Sequence, residues 1–346
     1  EGTKNVAVGY NSLGAATTSE RNTAIGYGSL SVNTTGDNNT ALGYNALATN
    51  VDGDRNTAIG SGALQTMEPS AGDTYNTAVG FSAGGAVTTG TGNTLIGGLT
   101  GDALTAGNDN VAIGLNALSA DTLGSGSVAI GNVALQDQNF TTATNAYNTA
   151  IGRSAGRDIT TGIQNTIMGA LAGDALTDAD YNVAIGYGAL TSDTLGSRSV
   201  AIGRNALVSQ NFTTATASNN TAVGYEAGRS TTTGIDNVLY GSNAGYALTD
   251  ADDNVALGRS ALATDTLGSK STAVGNGALN TQNFTTATDT YNVAVGFNAG
   301  NDVTTGTQNT FVGGLAGDAQ NTGTRTVAVG YNAGGGITSG DSNVAI

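Results

Sequence analysis

The sequence predicts an all-β chain wound as a parallel β-solenoid, or β-roll, and three observations carry that prediction. A five-residue word, Asn-(Thr/Val)-Ala-(Ile/Val/Leu)-Gly, recurs every 17 residues and closes on Gly9, Gly26, Gly43, Gly60 and onward to Gly330, 19 copies in all. After every three such steps one step lengthens to 20 or 21 residues, which gives a four-rung super-repeat of 72 residues. Within each word, apolar and small residues alternate with the period of two that a strand requires. Units this short bury a core only by stacking on their neighbours. The expectation is therefore about 19 rungs in one array over residues 1–346, a fragment of a longer chain, rising about 4.8 Å per rung to a rod of about 90 Å.

Composition removes whole classes of function. The chain has no His, Cys or Trp, and it carries a formal net charge of -15 with a pI near 4.1. Zinc sites, Cys-His nucleophiles and Ser-His-Asp triads are excluded, and neither a metal nor another cofactor is expected. An acidic chain without basic patches repels phosphate backbones and anionic lipid heads, so nucleic acid and membrane contact are not expected of this segment.

Each rung position then receives a role. The residue before the Gly is apolar in every copy, with Met168 and Tyr240 the largest departures, and with its Thr or Val companion it is assigned to the interior. The Ala between them is assigned to the opposite side, where small side chains imply close approach of another backbone. Leu95, Ile167, Leu239 and Phe311 replace that Ala once per super-repeat and register a larger void there. Four places past the Gly stands Leu in pairs of rungs (Leu118, Leu135) and Gly in the next pair (Gly156, Gly173). The opening amides Asn22, Asn39, Asn56, Asn76, Asn93, Asn110, Asn148, Asn165 and Asn182 stand at the spacing of a hydrogen-bonded Asn ladder. The closing Gly suits a corner that needs positive φ or close approach.

The long steps insert loops near 65–75, 136–147, 208–219 and 280–291. Three of them repeat one segment, with Gln138, Asn139 and Phe140, then Gln210, Asn211 and Phe212, then Gln282, Asn283 and Phe284; the first carries Met67-Glu68-Pro69-Ser70 instead. Insertions in a repeat array map to loops on one face, often the binding face. Two readings stand side by side: an exposed aromatic with flanking amides suits a surface glycan or protein receptor, or each Phe folds back over an apolar edge. The acidic groups Asp174, Asp178 and Asp180, and Asp250, Asp252 and Asp253, have oxygen ligands for calcium but lack the calcium-roll and EF-hand spacings, and they read as solvated turn acids. Asp121-Thr122-Leu123-Gly124-Ser125, repeated from Asp193 and Asp265, reads as a side-chain-capped turn. A catalytic carboxylate pair would occur once, not in every super-repeat, so no enzyme is expected.

The words Ser127-Val128-Ala129-Ile130-Gly131 and Ser199-Val200-Ala201-Ile202-Gly203, with Ala three places beyond each Gly, resemble the YadA-like head repeats of trimeric autotransporter adhesins. The variant Asn-Thr-Ala-Ile-Gly-x-x-(Ala/Ser)-Leu is similar to arrays in phage tail fibres and in large bacterial surface proteins that end in a self-cleaving chaperone. The resemblance covers essentially the whole chain. It implies a left-handed parallel β-roll, three copies side by side, exposed on a cell or virion surface and engaged in adhesion. The expected function is a structural and adhesive module of an extracellular fibre or appendage, with a phage or injection-machine tail-fibre shaft as the alternative. Ice binding and polysaccharide cleavage rank lower, because the doublets Thr88-Thr89, Thr160-Thr161 and Thr232-Thr233 are too sparse for a flat array and no unique acid pair exists.

Overall fold

The computed structural model describes residues 2–69 and 72–346; Glu1, and Ser70 and Ala71 of the first insert loop, lie outside the described residues. The chain winds as a parallel β-solenoid of about 20 turns, and its described residues contain no helix. It divides into two compact units, Glu1–Asp178 and Ala179–Ile346.

In the first unit the word strands run from Val6–Val8, Thr23–Ile25 and Thr40–Leu42 to Thr149–Ile151 and Thr166–Met168. Each pairs parallel with the next, word on word: Thr23 opposes Thr40, Ala24 opposes Ala41 and Ile25 opposes Leu42. The second unit repeats this from Val183–Ile185 to Val344–Ala345, with Val183 opposite Val200 and Ile185 opposite Ile202. Under each insert loop a second, two-residue ladder forms, Gly124–Ser125 with Thr144–Asn145 in the first unit and Gly196–Ser197 with Thr216–Ala217 in the second.

The interior is the opposite of the one expected from hydrophobicity. The word's Ala is fully buried in turn after turn (Ala24, Ala41, Ala58; Ala184, Ala201, Ala222), whereas the aliphatic residue before the Gly faces outward: Leu42 is 43% exposed, Met168 43% and Leu257 45%. The word's Thr and Val share that outer face. The reason is volume. A turn of this length encloses a narrow section, which is filled by the Ala methyl, the small residue three places past the Gly and one Leu at the next position, such as Leu30, Leu47, Leu190 or Leu207.

That Leu stands in the left-handed region, with φ 47 at Leu30, 50 at Leu47 and 49 at Leu207. A non-Gly residue there costs about 1–2 kcal/mol, while full burial of a Leu side chain contributes about 1.5–3 kcal/mol, so the arrangement is at worst neutral. In the intervening pairs of rungs Gly removes the strain, and one bulky strand residue per pair fills the space. A Cβ on Gly84 would fall 2.7 Å from Leu95 Cδ1, and one on Gly101 would fall 3.0 Å from Leu95 Cδ2. Leu239 fills the same space between Gly228 and Gly245, at 2.7 and 2.6 Å. The void registered by Leu95, Ile167, Leu239 and Phe311 is thus inside the coil.

The opening Asn residues are buried and tie turn to turn. Asn39 N–H donates to Asn22 Oδ1 at 2.8 Å, Asn56 N–H to Asn39 Oδ1 at 2.9 Å, and the series runs through Asn76, Asn93 and Asn110; Asn165 N–H donates likewise to Asn148 Oδ1. In the second unit Asn182 Oδ1 accepts Ser199 N–H at 2.8 Å and Asn220 Oδ1 accepts Asn237 N–H at 2.9 Å. Each amide also donates to a carbonyl near its corner, as Asn237 Nδ2 does to Ala251 O at 2.7 Å. Asn237→Ala would orphan the Asn254 N–H and the Ala251 carbonyl, and is expected to cost about 2 kcal/mol in chemical denaturation.

Candidate functional site

Three features of the surface and its supports can carry function: the insert loops, the outer face of the word strands, and columns of exposed charged and aromatic residues at the corners.

The insert loops bury the phenylalanine expected at their surface, and the aromatics they expose are Tyr75, Tyr147 and Tyr291 near the loop ends. Phe140, Phe212 and Phe284 are 5%, 6% and 6% exposed, and Gln138, Gln210 and Gln282 are fully buried. Of the nine residues expected there, Asn139 and Asn211 are exposed and Asn283 is half-buried. The rings fold inward because the capped turn one rung earlier grips the loop backbone from both sides. In the second unit the buried Asp193 accepts Gly196 N–H at 3.1 Å, Phe212 N–H at 3.1 Å and Gln210 Nε2–H at 2.6 Å. The adjacent Thr194 hydroxyl donates to the Phe212 carbonyl at 2.8 Å. Asp121 and Asp265 repeat the arrangement on Phe140 and Phe284.

Gln210 also replaces the missing ladder amide. Its Nε2 donates to Ser199 Oγ at 2.9 Å and its Oε1 accepts Asn220 Nδ2–H at 2.9 Å, so the ladder continues where the word opens with Ser. The first insert loop needs no such device: its word keeps Asn56, Asn50 takes the place of Asp121, and the buried Met67 takes the place of Gln138. The tips of the later loops expose Thr141, Thr142 and Ala143, and their counterparts at 213–215 and 285–287.

The outer strand face is uncharged along each unit, with one aliphatic column beside a column of Thr and Val. None of its two side-chain columns, Thr or Val and then Ile, Val, Leu, Met or Tyr, contains a charged residue in any word. One place past the Gly, Tyr10, Tyr27 and Tyr44 add a stacked column, with ring centroids 5.2 and 5.4 Å apart. Sequence reasoning missed this column, although three tyrosines at one register are visible in the text.

The acidic groups are engaged with neighbouring turns. Asp178 accepts from the Thr161 hydroxyl at 2.7 Å, Asp250 from the Thr233 hydroxyl at 2.6 Å, and Asp252 from Ile235 N–H at 2.8 Å. Among the described residues no three acidic side chains converge where they could hold a metal ion. Burial raises the carboxyls of Asp102, Asp137 and Asp252 above their ordinary range, and neighbouring Asp250, Asp253 and Asp236 push Asp252 the same way. A raised carboxyl binds its proton earlier in the folded state, so these groups add stability as the pH falls through their folded values. The net charge of -15 acts in the same direction by relieving self-repulsion. The thermal midpoint is therefore expected to rise as the pH falls from the neutral range toward the ordinary aspartate value of about 4, and less so in Asp252→Asn; a midpoint that falls on this approach contradicts the assignment.

No protein-family model matches this chain, and no curated protein matches it.

Proposed function

We propose that the chain is a structural and adhesive module of an extracellular fibre or surface appendage, assembled from copies of itself packed side by side through the outer faces of their word strands. The observation that carries this reading is the uncharged aliphatic face. Its members stay open to solvent from turn to turn, with Leu42 43%, Met168 43%, Tyr240 55% and Leu257 45% exposed. Exposed apolar surface continued in this way marks an interaction site. A second copy fits it because both copies carry the same ladder at the same rise, so aliphatic rows interlock turn after turn. Three copies is the number that the resemblance to trimeric adhesin heads implies. The recurrence of the Thr-Thr-Ala loop tips supports adhesion, because copies on one fibre engage a surface together.

The test places charge on the face without touching the core. Ile185→Lys with Ile202→Lys, both on the outer side of paired strands, is expected to yield single chains of 33.9 kDa with an unchanged far-ultraviolet β spectrum. At equal chain concentration, retention of the variant on a cell surface is expected to fall by about 10²-fold through lost avidity. A variant that assembles like the parent would overturn the proposed face.

A further inference from the structure

A second inference arises at one corner register, just before the word that precedes each insert loop. The four residues there are Arg55, Gly126, Arg198 and Lys270, and three of them are closed off. Arg55 pairs with Asp73 and lies 5.5 Å from the Tyr75 ring, whose hydroxyl donates to Asp73 at 2.9 Å. Lys270 repeats that triad with Asp289 at 2.6 Å and the Tyr291 ring at 5.5 Å. Gly126 has the Tyr147 ring against it: a Cβ there would fall 2.9 Å from the ring.

Arg198 has lost both partners. Ala217 stands where Lys270 has Asp289, and Asn219 stands where it has Tyr291. The exposed guanidinium makes no ion pair, hydrogen bond or aromatic contact among the described residues. It opens instead into a depression of about 210 Å³ within the second unit, lined with Asp180, Tyr181, Ser197, Thr216 and Ala217. That volume is below the range of drug-sized pockets and suits a single sugar ring.

We propose that this groove binds a saccharide that carries a carboxylate. The guanidinium takes the carboxylate that its register otherwise receives from within the chain, in the two-pronged geometry Arg offers to a carboxylate. Ser197 Oγ accepts Asp180 N–H at 3.0 Å and keeps its proton to donate, Thr216 Oγ1 donates to Thr214 O at 3.0 Å and keeps lone pairs to accept, and the Tyr181 ring, 47% exposed, offers an apolar surface to the ring carbons. The polyhydroxylic lining favours a sugar acid over a bare anion, which would meet only Arg198 and would also face Asp180. None of the residues lining the groove belongs to a word strand, so its occupancy and self-association are tested separately.

Titration of the whole chain with glucuronate, followed by saturation-transfer NMR, tests the proposal with glucose and acetate as parallel probes. Glucuronate is expected to bind saturably, and glucose and acetate each at least about tenfold more weakly, since a charge-assisted pair and the hydroxyl contacts contribute separately. Arg198→Gln is expected to lose at least about tenfold in affinity. Ala217→Asp, which restores the internal carboxylate at an exposed position, should lose as much by occupying Arg198. Absence of glucuronate binding, equal binding of glucose or acetate, or full affinity in either variant would overturn the proposal. The mass of the same samples by light scattering reports self-association separately.

Discussion

Gly186→Ala is expected to destabilise the second unit by about 2–6 kcal/mol, the sum of an L-residue held at a φ that only Gly tolerates and overpacking against a fixed neighbour. Gly186 has φ +128, and a Cβ there would lie 2.6 Å from Gly203 O and 2.7 Å from Gly203 C. Relief requires the next coil to rise, and the next coil has the same glycine beneath another. Chemical denaturation of the variant measures the cost. A loss below about 0.5 kcal/mol, the ordinary effect of a surface substitution, would mean that the stacked corners are not as close as described.

Asp193→Ala is expected to cost about 3–5 kcal/mol, because it orphans three buried donors at about 1–3 kcal/mol each, less what entering water restores. Those donors are the Gly196 and Phe212 amides and one N–H of Gln210 Nε2, whose other N–H stays on Ser199 Oγ. The damage should be local, since solenoid turns are held mainly by their neighbours: hydrogen exchange at the Phe212 amide is expected to accelerate far more than at word strands several turns away. Asp193→Asn keeps one acceptor oxygen and should lose less. Unchanged exchange at Phe212 in Asp193→Ala would show that the carboxylate does not hold the loop.

The period, the corner glycines, the strand register and the places of the inserts were all legible in the text, because each is a property of spacing. The direction in which each side chain points was not. A strand of three residues alternates only once, so Thr23-Ala24-Ile25 reads equally well with either face inward, and hydrophobicity favours the wrong one. Volume decides it, and volume did leave a trace. Leu95, Leu239 and Phe311 replace Ala in rungs where the residue four past the Gly is itself Gly. Two positions that exchange bulk in this way share one space, and that space is the core. The insert loops misled for a similar reason: Gln210 reads as a surface amide until the loss of Asn at Ser199 is set beside it, the two being joined by a hydrogen bond at 2.9 Å. The Asp193 turn and the Phe212 segment likewise recur together, one rung apart, in each of three super-repeats.

The outward aliphatic face is the feature on which the functional reading rests, and the mass of the chain in solution tests it most directly. Multi-angle light scattering is expected to give a discrete multiple of 33.9 kDa, three chains by the adhesin-like arrangement, unchanged on dilution. A single-chain mass at all concentrations would contradict the account, leaving the aliphatic columns open to solvent and the proposed fibre without its means of assembly.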